Sequence, residues 1–145
     1  MKYLFLPLFF LFGLCLSADA QLTRTINTTF KADEITSVIG NFEQEVEHEE
    51  WTGSRILVET NISLEYASVP IIEALIEAGR YELESNSSGG LLEISAKPDL
   101  KKEIIIKGVY VEEVVKYRIF VPEGLPIEII KTEVMADPYY PEDDQ

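Results

Sequence analysis

The densest run of side chains able to do chemistry is FEQEVEHEEW, residues 42–51. Read as an extended strand, it projects Glu43, Glu45, Glu47 and Glu49 from one face at two-residue spacing, which could gather a hard cation such as Ca2+. Calcium sites usually add Asp or Asn ligands and a tight glycine loop. This segment has neither, so a solvated strand face is the competing reading. His48, the chain's one histidine, sits in the same run as a candidate pH-responsive group, or more plainly as an exposed residue on an acidic strand. Trp51, followed by Thr52 and Gly53, could stack on a sugar ring, or pack as a half-buried ring against the strand it introduces. Tyr139 and Tyr140 are the other aromatics with that capacity.

Covalent catalysis finds less support. A Ser-His-Asp or Cys-His arrangement needs a histidine beside an activated nucleophile, and the one cysteine, Cys15, lies in an apolar leader. Paired glutamates for glycoside hydrolysis need two carboxyls at a set separation, which a sequence by itself does not show. The sequence therefore nominates no catalytic residue and no cofactor.

That leader is the clearest segmental signal in the chain. Lys2 opens it, residues 3–16 form an apolar run broken only by Pro7 and Gly13, and Ser17-Ala18-Asp19-Ala20 offers small residues at the positions a signal peptidase reads. The expected cut falls between Ala20 and Gln21. The apolar run is about 14 residues, short of the ~20 needed to span a bilayer as a helix. Leu14 stands where a lipoprotein signal carries a small residue before its cysteine, so lipid attachment at Cys15 is not expected. Loss of residues 1–20 would leave no cysteine, and hence no disulfide. It would also leave the net charge at −14, because Lys2 and Asp19 cancel. Such a charge repels nucleic-acid phosphates and anionic lipid, which disfavours a nucleic-acid partner.

What must position these residues is mostly strand. Alternation is clearest from residue 56, where Ile56, Val58, Thr60, Ile62, Leu64 and Tyr66 share a face opposite Leu57, Glu59, Asn61, Ser63 and Glu65. Further strands are expected over residues 22–30, 35–39 and 42–48, with Gly40-Asn41 turning the chain between the last two. One helix over about residues 69–78 starts at Ser68-Val69-Pro70 and stops at Gly79, with Ile72, Leu75 and Ile76 on its buried face. Residues 81–85 and 92–96 form a hairpin around the loop 86–90, and strands follow at 103–111, 114–121 and 125–135, with Pro122-Glu123-Gly124 as a turn. Acids dominate residues 33–84, whereas Lys97, Lys101, Lys102, Lys107, Lys116 and Arg118 cluster later. The later strands are thus expected beside the earlier ones, joined by exposed cross-strand ion pairs, with a basic ligand patch as the sharper alternative. Asn27, Asn61 and Asn86 fit the glycosylation acceptor pattern, and only Asn86 falls in an expected loop.

The stretches GNFEQEVEHEEWTGSRILVETNI (residues 40–62) and VKYRIFVPEGLPIEI (residues 115–129) resemble the bacterial putative-adhesin domains of secreted and envelope proteins, head-GIN type included. The resemblance implies a strand, an aromatic-plus-turn step and a second strand ahead of a VP-x-G turn. It departs from those domains in ending about 16 residues after the VPEGLPIEI strand, with no internal repeat of solenoid period, so the chain resembles a shortened form.

The sequence thus predicts a mainly β protein: an antiparallel or solenoid-like sheet domain of about eight strands with one short packed helix. A signal peptide (1–20), a single β-rich domain (21–136) and an acidic flexible tail (137–145) make up the chain. The expected role is an exported, non-enzymatic interaction or structural module, adhesin-like, in the periplasm, cell envelope or medium, with a protein or glycan as partner. A Ca2+- or polysaccharide-binding module and a small secreted hydrolase are the alternatives.

Overall fold

The computed structural model describes residues 21–131. The leader, the Ala20 side of the expected cut and the acidic tail lie outside them. Ten strands and one helix follow in the order β1 (Leu22–Lys31), β2 (Ser37–Phe42), β3 (Glu45–Trp51), β4 (Arg55–Leu64), α1 (Val69–Glu77), β5 (Leu83–Ser88), β6 (Leu91–Ala96), β7 (Ile104–Ile106), β8 (Val109–Val111), β9 (Glu113–Pro122) and β10 (Ile127–Lys131). A 3-10 turn at Pro98–Lys101 precedes β7. The mainly β expectation holds.

Two four-stranded sheets carry the fold, one in the order β1-β4-β9-β3 and the other β10-β2-β6-β5, while β7 and β8 form a separate hairpin. Pairing is mixed. β1:β4, β4:β9, β5:β6 and β7:β8 are antiparallel, whereas β3:β9, β2:β6 and β2:β10 are parallel. The chain passes directly between the sheets from β1 into β2, from β2 into β3 and from β9 into β10, and twice more by way of α1 and of the β7-β8 hairpin.

The alternation read at residues 56–64 is what closes the core. Ile56, Val58, Thr60, Ile62 and Leu64 are fully buried on β4, and Val115, Tyr117, Ile119 and Val121 extend the same inner face along β9. Val38 and Phe42 of β2 and Leu92 and Ile94 of β6 join them in one cluster. The Phe42 and Tyr117 rings, centroids 4.4 Å apart, meet across the two sheets. Ile72 is the fully buried residue of α1, with Leu75 and Ile76 packed at the margin of the core. Each fully buried aliphatic side chain contributes about 1.5–3 kcal/mol.

Several local expectations fail for identifiable reasons. Gly40-Asn41 is not a turn but the interior of β2. A Cβ at Gly40 would lie 2.8 Å from Ile129 Cδ1 and 3.2 Å from Ile119 Cδ1, so the glycine makes room for neighbouring side chains. The bend falls instead at Glu43-Gln44. The loop expected at 86–90 shrinks to Gly89-Gly90, both at positive φ (58° and 84°), as a two-residue hairpin turn requires, and Asn86 lies within β5. Lys107-Gly108 (φ 50° and 79°) folds the run 103–111 back into β7 and β8, one reason the strands number ten. Tyr66 leaves the β4 pattern at φ 58° and is 73% exposed.

Candidate functional site

The outer face of the β1-β4-β9-β3 sheet collects most of the residues that the sequence singles out. The pairing registers place Thr25, Asn61, Lys116 and Glu45 on one cross-strand row, Asn27, Glu59, Arg118 and Glu47 on the next, and Thr29, Leu57, Phe120 and Glu49 on a third. Within the first row, Thr25 Oγ1 donates to Asn61 Oδ1 at 2.7 Å and Lys116 Nζ lies 2.7 Å from Glu45 Oε2. In the second, Arg118 Nη2 lies 3.3 Å from Glu47 Oε2. The ammonium of Lys116 holds the Glu45 carboxyl below the usual carboxylate range, through its hydrogen bond first and its charge second. The expected cross-strand ion pairs between the acidic and basic halves are therefore present.

This geometry separates the four glutamates proposed as cation ligands. Glu45, Glu47 and Glu49 do share the outer face of β3, but Glu43 lies in the bend before it. Glu45 and Glu47 each face a protein cation, which a metal would have to displace. Among the described residues no cluster of three or more His, Cys, Asp or Glu is placed to hold a metal ion. His48 falls on the opposite face, paired in register with Ile119, and is exposed because β3 is the outermost strand of its sheet.

Trp51 is half-buried and engaged. Its Nε1–H donates to the Arg55 carbonyl at 2.9 Å, its ring stands 5.8 Å from that of Phe120, and a Cβ on Gly53 would come within 2.4 Å of the indole. One indole face is therefore covered by the Gly53 backbone, where a side chain would not fit. The residue clamps the turn into β4, the packing role weighed against sugar stacking. Asn27, Asn61 and Asn86 are all exposed, and all three lie on strands.

The larger concave features are open and polar: one of about 510 Å3 lies over Glu84, Asn86 and Glu93, and one of about 360 Å3 beside Glu47, His48, Glu49 and Arg118. A cleft of about 220 Å3 lies beside the β2–β3 bend, lined in part by Phe42, Gln44, Ser95 and Lys97. Lys97 there pairs with Glu82.

One polar cluster escaped the sequence reading. Arg80, just after the helix, is 8% exposed. Its Nε donates to Glu113 Oε1 at 2.9 Å and its Nη2 to Glu113 Oε2 at 2.6 Å, a two-pronged pair. Nη1 donates to the Asp99 carbonyl at 2.9 Å and Nη2 also to that of Lys102 at 2.6 Å, which ties the 3-10 turn to β9. The Tyr81 hydroxyl donates to Glu113 Oε1 at 2.7 Å. The Glu113 hydrogen bond raises the Arg80 pKa, while burial first, and then Glu113, raise that of Tyr81. A signal for this cluster does exist: extending the inner-face series Val115, Tyr117, Ile119, Val121 back by two residues puts the Glu113 carboxylate on the core face. Every strong donor here is already used by the protein, which marks a structural tie.

No protein-family model and no curated protein matches this chain. Among solved structures, a "putative cell adhesion protein" from Clostridium sporogenes aligns over 74% of the chain at 13% identity with a TM-score of 0.38. The chain spans 46% of that protein's length. No described helix is long and apolar enough to cross a membrane.

Proposed function

We propose that this chain is an exported, non-enzymatic interaction or structural module of the cell envelope, adhesin-like in use, with a protein or glycan as its partner. The observation that carries the reading is the outer face of the β1-β4-β9-β3 sheet, a largely exposed field rich in charged, amide and hydroxyl side chains and bounded by two outermost strands. Small-molecule sites are concave and mostly apolar, whereas an open polar field suits broad contact with a macromolecule. The leader-like composition of residues 1–20 supports export.

The test is fractionation of producing cells with protease shaving, followed by mass spectrometry of the N-terminus and crosslinked pull-down from the fraction recovered. A chain beginning at Gln21 outside the cytoplasm is expected. Recovery of the full-length chain in the cytoplasm would overturn the reading.

A further inference from the structure

The two outermost strands of the first sheet differ in charge. β3 carries Glu45, Glu47, Glu49 and Glu50 and no Lys or Arg, while β1 carries Arg24 and Lys31 and no acid. Among the described residues each pairs on one side only, β1 with β4 and β3 with β9. Neither contains the proline or glycine with which edge strands are often blunted, and β1 runs for ten residues.

Direction matters as much as charge. β1 is antiparallel to β4, β4 is antiparallel to β9, and β9 is parallel to β3, so β1 and β3 point the same way. A second copy laid beside the first in the same orientation, with outer faces continuous, therefore brings its β1 parallel to β3. Glu45 and Glu47 are already answered by Lys116 and Arg118 within the chain. Glu49 and Lys31, by contrast, form no ion pair among the described residues. They share the outer face: the row of Glu49 ends at Thr29, two residues before Lys31. In an unshifted junction the second copy's Lys31 falls diagonal to Glu49, within reach of a long side chain, and a two-residue shift sets the two directly opposite.

We propose that the chain associates head to tail with further copies of itself, β3 of one pairing in parallel with β1 of the next, with Glu49 and Lys31 matched across the junction. Like edges do not serve: β3 against β3 opposes four glutamates to four, and β1 against β1 opposes Arg24 and Lys31 to themselves. The junction is heterologous, so each added copy presents the same free edges and growth continues until a ring closes. The net charge of −14 opposes approach at long range, but at about 0.15 M salt it is screened beyond about 8 Å, leaving the edge charges to decide. The inference rests on sheet geometry and holds whether or not the envelope reading does.

Sedimentation velocity of the protein, purified as its own cell processes it, tests this at rising concentration in about 0.15 M salt. Species that grow past the dimer are expected. Glu49→Lys and Lys31→Glu should each raise the concentration for half-association at least about fivefold, as attraction turns to repulsion at the junction. An equimolar mixture of the two should regain association, because each altered edge then meets its complement. Circular dichroism of both variants establishes that they remain folded. A monomer at every concentration, a dimer that grows no further, association indifferent to either charge, or a mixture that fails to recover would each overturn the proposal.

Discussion

Removing Glu113 should cost this protein a large fraction of its stability, and the structure indicates how much. The Arg80 and Glu113 side chains are 9% and 12% exposed, so neither charge is well hydrated. In Glu113→Ala the guanidinium keeps the carbonyls of Asp99 and Lys102 but loses the carboxylate it is paired with, and the Tyr81 hydroxyl loses its acceptor. Breaking a buried pair from one side costs about 3–5 kcal/mol, against about 5–15 kcal/mol for a whole domain. Arg80→Met should fall in the same range, since it strands the carboxylate and removes the guanidinium donors from the Asp99 and Lys102 carbonyls. The double variant Arg80→Met/Glu113→Ala removes both charges together, and should be less destabilised than the sum of the singles by about 1–3 kcal/mol. Urea unfolding followed by the fluorescence of Trp51, the one tryptophan, measures each. Single losses under about 1 kcal/mol, or costs that add within about 0.5 kcal/mol, would refute a buried, coupled pair.

Gly40→Ala should destabilise by about 1–3 kcal/mol in the same assay, because the added methyl meets Ile129, Ile119 and Phe42 at 2.8, 3.2 and 3.3 Å. Tyr117→Phe should be neutral or stabilising by up to about 1–3 kcal/mol, since the hydroxyl is buried with no protein partner among the described residues; a clear loss would count against that placement. Burial raises the pKa of both Tyr81 and Tyr117. The neutral phenols thus favour the fold fully below the ordinary tyrosine value of about 10, and that stability is lost as pH rises above it. Tyr117→Phe should remove its share of this alkaline loss, measurable as a smaller drop in melting temperature between about pH 9 and 11. Calcium at about 10 mM should leave the melting temperature unchanged. A site with a Kd of about 1 mM would add about 1.4 kcal/mol, and a shift of that size would restore the glutamates of β3 as ligands.

The long alternations were legible because burial on one face leaves a period-two trace, as in Ile56 to Leu64, and the helix was legible from Pro70 and Gly79. What misled was glycine. Gly40 reads as a turn residue by local chemistry, yet its role is set by Ile119 and Ile129, which lie far along the chain and which no local window includes. Conversely, Ser87 and Ser88 look like loop yet continue β5, since only Gly89 and Gly90 are needed for the turn. Of the site, the composition of β3 was evident from FEQEVEHEEW, but its partners Lys116 and Arg118 became apparent only through the parallel pairing with β9. Arg80 resembled an ordinary residue after a helix stop, because its function lies entirely in partners at positions 99, 102 and 113.

The parallel pairings that β2 and β3 make have a temporal consequence. β2 and β3 are made early, yet their parallel neighbours come late: Val38 waits for Ile127, and Glu45 for Lys116. A chain emerging from its N-terminus therefore cannot complete either sheet until almost all of the described segment is available. Pairings this distant in sequence pay loop-closure entropy before they are rewarded, which places folding in the slow range of β proteins, about milliseconds to seconds. During that interval neither sheet is complete, so the chain lacks the closed core that would bar its passage through a narrow channel.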